Sequence, residues 1–184
     1  MLDDRELVRR TQSGDRRAFE QLLDRYEARI YRMALRTTGN PADAEDVTQE
    51  IFLGIHRSIG SFRSQSALST WVYRVALNHC LEHRRKRRLD TVTMEDEMQI
   101  ASARREDDPV ACATQTELAA RVNAAIGSLS GKHRDVVLLH EMQGLTYQEC
   151  AEVLNVPVGT VKSRLFHAFG QLRALLAGST SEEA

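Results

Sequence analysis

The sequence predicts an all-α protein in which two small helical domains are joined by a flexible acidic linker. Apolar residues recur at three- and four-residue spacing through most of the 184 positions, with few β-branched alternations. Capping residues and glycines punctuate these stretches, while Leu89 to Thr116 is acidic, polar and poorly periodic.

Leu2 to Ser13 reads as a first amphipathic helix, stopped by Gly14. Asp15 caps a longer helix to about Thr38, whose Phe19, Leu22, Leu23, Tyr26, Ile30, Met33 and Ala34 fall at helical spacing before Gly39 ends it. Asn40 caps a third helix, Pro41 takes its first turn and Asp43 suits its positive end, carrying it to about Arg57. Ala44, Val47, Ile51 and Ile55 share one face of it. Asp43, Asp46 and Glu50, with Gln49 alongside, share another, which is either simply solvated or the complement of a basic partner surface. A loop over Gly60 to Ser66 leads to a fourth helix from about Leu68 to Arg87. Beyond the linker, Leu118, Val122, Ala125, Ile126 and Leu129 mark the next amphipathic helix. Ser130 caps its successor, which Gly144 ends after Val136, Val137, Leu138, Leu139 and Met142. The expected division is therefore 1–89, an acidic linker at 90–116, a second domain at 117–177 and a disordered tail at 178–184.

Thr146 to Phe169 spell a helix, a tight turn and a second helix, the signature of a DNA-reading helix-turn-helix. Thr146 and Glu149 have capping-box spacing, Asn155 tolerates the left-handed conformation that ends a helix, and Pro157 opens the next one. On a helical wheel Val161, Leu165, Ala168 and Leu172 point inward, with Phe169 and Leu176 close by. Gly159, Ser163, Phe166, His167 and Gly170 lie opposite, flanked by Thr160 and Lys162. A phenylalanine on that outer arc suits a thymine methyl in a major groove; packing against another helix is the competing reading.

Hydrophobic content of 42% with 28% charged residues suits a globular protein, and no apolar run reaches the roughly 20 residues of a membrane span. The opening M-L-D-D-R-E-L lacks a signal-peptide core, so a cytoplasmic address is expected. Cys80, Cys112 and Cys150 show no C-x-x-C spacing and read as reduced thiols. His79, Cys80 and His83 cluster on one helix at metal-binding spacing but lack further nearby ligands, so no metal and no cofactor is expected. No phosphate loop or nucleophile–base pair supports an enzyme. The net charge of −1 hides an unbroken cationic run, Arg84, Arg85, Lys86, Arg87 and Arg88. It ends the helix that carries Trp71, Tyr73, Arg74 and Asn78, with Phe62 and Arg63 just upstream. Aromatic rings stack unpaired bases and cations follow the backbone, so this segment can hold a single strand. Trp71 fits the hydrophobic core equally well.

The strings D-A-E-D-V-T-Q-E-I-F at Asp43 to Phe52, S-T-W-V-Y-R-V-A-L-N at Ser69 to Asn78 and V-P-V-G-T-V-K-S-R-L at Val156 to Leu165 occur in family order and at family spacing. With them the chain resembles the extracytoplasmic-function group of sigma-70-type bacterial sigma factors, the promoter-specificity subunits of RNA polymerase. The resemblance implies that Asp46, Gln49 and Glu50 dock on the clamp helices of the polymerase's largest subunit. It implies that the loop from Phe62 to Leu68, including Arg63, Ser66 and Ala67, captures a flipped base of the minus-ten element. Trp71, Asn78, Arg84, Arg85, Arg87 and Arg88 complete that expected surface, Asn78 matching a residue that lines the base pocket. Lys162, Ser163, Arg164, Phe166 and His167, with Thr146, Gln148 and Thr160, match the unit that reads the minus-thirty-five duplex. Contacts with the flap of the second-largest subunit and an anti-sigma partner are implied as well. His167 departs from the arginine often found there, and Gly170 is a poor helix residue on the same arc. A free-standing helix-turn-helix dimer and a thiol- or metal-dependent sensor are the competing functions.

Overall fold

The computed structural model describes residues 2–94 and 113–178, and every regular element among them is helical. The order is α1 (Asp4–Gln12), α2 (Arg16–Thr38), α3 (Pro41–Ser58), a 3-10 turn (Ile59–Ser61), α4 (Leu68–Met94), α5 (Ala113–Ser128), α6 (Gly131–Val137), α7 (Tyr147–Leu154) and α8 (Val158–Gly178). A π-helical segment, Leu138–Met142, extends α6.

The boundaries have the causes read from the sequence. Asp15 accepts from the Arg17 and Ala18 amides at the start of α2, and Gly39, at φ 73°, closes it in the left-handed conformation. Asn40 accepts from the Ala42 amide with Pro41 in the first turn of α3. Thr146 and Glu149 form the reciprocal capping box of α7, and Asn155 ends that helix at φ 52°.

Three expected features differ. The fourth helix runs to Met94, past the linker start expected at 90, because neither glycine nor proline stops the chain there; acidic composition alone does not break a helix. Ser130 makes no side-chain cap. Arg134 instead donates to the Ile126, Gly127 and Leu129 carbonyls, closing the end of α5 from the following helix. The fifth helix begins at Ala113, ahead of the expected domain start. The rest of the acidic linker, 95–112, and the tail from 179 lie outside the described residues.

The first half packs α1, α3 and α4 around α2 through Leu7, Leu22, Ile30, Met33, Ile51, Ile55, Val72 and Tyr73, all fully buried. In the second half, α5 to α8 enclose Ile126, Leu129, Val136, Leu138, Leu139, Cys150, Val161 and Leu165. Gly54 permits the close packing of α3 on α4, since a β-carbon there would overlap the His79 ring. The halves meet where α4 packs on α7.

Candidate nucleic-acid interface

On the outer side of α3, Asp46, Gln49 and Glu50 are all exposed, because Val47, Ile51 and Ile55 commit the opposite face to the core. Leu53 completes this outer surface, 53% exposed and seven residues on from Asp46. Sequence reasoning missed it, although the wheel places it within the acidic arc. An exposed leucine one turn beyond Gln49 and Glu50, with His56 and Arg57 one turn further on, is suited to a protein partner.

The loop between the 3-10 turn and α4 divides into anchors and an exposed crown. Phe62 and Leu68, expected to touch DNA, are 8% and 3% exposed and belong to the core. Phe62 packs against Trp71 at a centroid distance of 5.2 Å, so these two rings occupy each other. The physical reason is local: without apolar anchors at both ends, this short loop would not be held against the helices. Arg63, Ser64, Gln65 and Ala67 form the exposed crown, with Ser66 half-buried and Ser64 in the left-handed region at φ 54°. A cavity of about 300 Å³ lies between Ser64, Ser66, Ala67 and Leu68 of the loop and Asp4 and Arg5 of α1. The contribution of α1 carried no sequence signal.

Asn78 does not line that cavity. It borders a separate crevice of about 400 Å³, with Arg74, Leu77 and Leu81 on α4 facing Glu152, Val153, Leu154 and Asn155 at the end of α7. Around this crevice three polar contacts cross between the halves. Thr70 Oγ1 donates to Glu149 at 3.4 Å, Arg74 to the Glu152 carbonyl at 3.1 Å, and Arg84 to both Asp135 oxygens at 3.2 and 3.3 Å. Glu149 thus serves the cap of α7 and the seam at once; the Thr146 amide holds its carboxyl below the usual range. Asp135 is 7% exposed, and burial pushes its carboxyl up, against the pull of Arg84. Asp135→Arg is therefore expected to open the seam, weakening the closed arrangement by on the order of 2 kcal/mol, the scale of a charged hydrogen-bonded pair. Small-angle scattering would register this as a larger radius of gyration; an unchanged profile would show that the pair does not hold the halves together.

The cationic run is partly committed to the fold. Arg84 pairs with Asp135, Lys86 lies 3.7 Å from Glu82, and Arg87 bonds Asp43 and the Thr38 carbonyl. Arg85 is exposed, and the backbone at Arg88 continues α4. His79 lies over Gly54 whereas Cys80 is 1% exposed, and among the described residues no three metal-ligating side chains converge. Burial pushes the Cys80 and Cys150 thiols up to about 11, which leaves them protonated and poorly nucleophilic near neutrality.

In the helix-turn-helix, Val161, Leu165 and Ala168 are buried and Leu172 half-buried, so α8 turns its other side outward. Phe166 is 76% exposed, which settles its side against packing on another helix. Lys162, Ser163 and His167 are exposed beside it, and Thr160 and Arg164 are half-buried on the shoulders. Phe169, placed near the inward arc by the wheel, is 42% exposed at the edge of an arc that Ala168 and Leu172 hold against the core. Tyr147 joins the surface: it stacks on His140 at 4.6 Å, and Lys162 Nζ stands 5.6 Å from its ring centre. His167 stacks against His133 at 6.2 Å. Thr146 and Gln148 lie exposed at the start of α7. The result is an aromatic and cationic helix face rigidly backed by α6 and α7, of the kind that fits a major groove.

Comparisons with known proteins agree with this arrangement. The sigma-70 region 2 family model matches residues 22–89, and the sigma-70 region 4 model matches residues 119–172. The chain is 37% identical over 172 residues to the RNA polymerase sigma-H factor of Pseudomonas aeruginosa, covering 90% of this chain and 89% of that protein. It is 36% identical to the ECF RNA polymerase sigma-E factor of Escherichia coli, over 91% of each. Among solved structures, CnrH in complex with the cytosolic domain of CnrY superposes with a TM-score of 0.72 at 29% identity, covering 95% of this chain and 97% of that one. The sigma factor RpoE of Bartonella quintana, in complex with the anti-sigma factor NepR, shares the fold at a TM-score of 0.71 and 23% identity, over 86% and 96%.

Proposed function

We propose a division of promoter recognition among three surfaces from one premise: the chain belongs to the extracytoplasmic-function group of the sigma-70 family. It is an alternative sigma factor, serving promoter recognition and transcription initiation. The acidic outer face of α3, Asp46, Gln49 and Glu50 with Leu53 at its C-terminal end, docks on the clamp helices of core polymerase. The crown of the loop before α4 receives a base flipped from the minus-ten strand, with Asn78 and Arg85 along the path of that strand. The outer face of α8 enters the minus-thirty-five duplex, and the flap of the second-largest subunit holds this half in place.

The observation that carries the reading is the exposed face of α8, where Phe166 stands free among Lys162, Ser163 and His167. An exposed aromatic in edge contact with His167 at 5.6 Å, among hydrogen-bonding side chains, suits base edges, whereas phosphate binding alone needs only charge. The chain contributes recognition and strand capture, and phosphodiester chemistry belongs to the polymerase. Extraction of a base costs a few kcal/mol of stacking, offset by contacts in the pocket. The likeness to CnrH, whose structure holds the cytosolic domain of CnrY, supports an anti-sigma partner for this chain too. Among the described residues no helix is long and apolar enough to cross a membrane.

Transcription in vitro with core polymerase on a library of genomic fragments tests the whole reading. Tight binding of a palindromic duplex without polymerase, and no association with core, would overturn it in favour of a free-standing regulator. For the α8 surface, Phe166→Ala and Ser163→Ala are expected to change relative use of minus-thirty-five variants by about 5- to 100-fold, the range for one lost base contact. Polymerase affinity should stay the same. A uniform loss across all minus-thirty-five sequences would place these side chains on the phosphate backbone instead.

A further inference from the structure

The cavity beside the minus-ten loop has a wall that neither family model covers. Residues 22–89 and 119–172 are matched, whereas α1 ends at Gln12. From the end of α1, Gln12 Nε2 donates to the Ile59 carbonyl at 2.8 Å and to the Phe62 carbonyl at 3.0 Å, across 47 and 50 positions of sequence. The Ile59 carbonyl opens the 3-10 turn and also accepts from the Phe62 amide, and the Phe62 carbonyl follows the turn, where the chain leaves regular structure. The two bonds therefore fix the point from which the loop departs. Fixing it matters because Ser64 holds a left-handed backbone, which a non-glycine residue adopts at a cost and keeps only where the surroundings enforce it.

The other end of α1 faces the loop across the cavity. Asp4 lines it, and its carboxylate is held by the Arg25 guanidinium, which also donates to the Leu2 carbonyl at 2.9 Å. A carboxylate only accepts hydrogen bonds, and its two oxygens offer more acceptor sites than one arginine uses. Cytosine, adenine and guanine each present an exocyclic amine as donor. Thymine flanks its single ring N–H with two carbonyl oxygens, which a carboxylate repels.

We propose that α1 completes the minus-ten pocket: Gln12 is a positioning residue for the loop, and Asp4 selects the base held there, favouring one with an exocyclic amine over thymine. This rests on the reading of the loop as the base-capturing element, so its test needs an arm for each.

The full chain is assembled with core polymerase, and binding is measured to forked promoter probes carrying each of the four bases at every single-stranded minus-ten position. Wild-type protein should favour amine-bearing bases over thymine at one position. Asp4→Ala should remove about tenfold of that discrimination, and Gln12→Leu, which keeps the bulk but not the donor, should flatten it at the same position by a similar factor. Polymerase affinity should not change. Asp4 sits on an exposed first turn, so its variant reports even where Gln12→Leu folds poorly. As a loop control, residues 63–67 are exchanged for glycine and serine. Flattening by the exchange and by both α1 variants at one position supports the proposal. Flattening by the exchange alone overturns it and leaves the loop reading intact. No effect from the exchange sinks the loop reading and the proposal together. An equal loss for all four bases in the α1 variants, or a wild-type preference for thymine, also overturns it.

Discussion

Glu50→Lys is expected to raise the dissociation constant for core polymerase by about 100-fold or more, at every promoter alike. Reversing a charge at an electrostatically matched interface costs about 2–5 kcal/mol or more, since it removes an attraction and installs a repulsion. Folding should be nearly untouched, because Glu50 is exposed on α3 and holds no core contact; surface changes of this kind stay within about 0.5 kcal/mol. Fluorescence-detected binding of labelled protein to core polymerase measures the first effect and a thermal melt the second. Leu53→Asp should act in the same direction, since the leucine stands within the same arc at 53% exposure. Wild-type affinity in both variants would refute the docking role of α3.

Asn78→Ala is expected to reduce open-complex formation by about 10- to 100-fold while leaving polymerase affinity within about twofold, the effect of one or two lost base contacts. Potassium permanganate footprinting of the melted region, set beside a binding titration, separates the two readouts. Equal loss in both would indicate a folding defect. The position of Asn78 adds a second expectation. It borders the crevice where α7 closes on α4, whose α7 side ends at Asn155, three residues before α8 begins. Elements centred about 25 base pairs apart lie roughly 80 Å apart on straight duplex at 3.4 Å per step. One reader against the other cannot span that distance, so the seam must open before both are used. Asp135→Arg should therefore relieve some of the cost of opening, and the defect of Asn78→Ala should persist in the double variant.

Much of the fold was legible because its causes are local. Asp15, Asn40 and the Thr146–Glu149 box cap the helices that follow them, and Gly39 and Asn155 end theirs, all through contacts within four residues. The inward arc of α8 followed from periodicity through Ala168 and Leu172, with Phe169 exposed at its edge. Composition misled at Leu89 to Met94, since acidity without a glycine or proline leaves a helix intact. Aromatic character misled at Phe62, whose ring is suited equally to a base or to Trp71 and was taken by the nearer partner. Leu53 was legible on the wheel, since its spacing from Asp46, Gln49 and Glu50 places it on the same exposed arc.

The helices, their caps, the helix-turn-helix and the acidic face of α3 follow from the chain's local order, because each is written in spacings of a few residues. Packing alone brings Arg84 to Asp135 across 51 positions, turns Asn78 toward α7 rather than the loop cavity, and sets Gln12 and Asp4 of α1 against that loop. These depend on how separate helices stack. Helical periodicity says which side of a helix is apolar and nothing about which neighbour covers it.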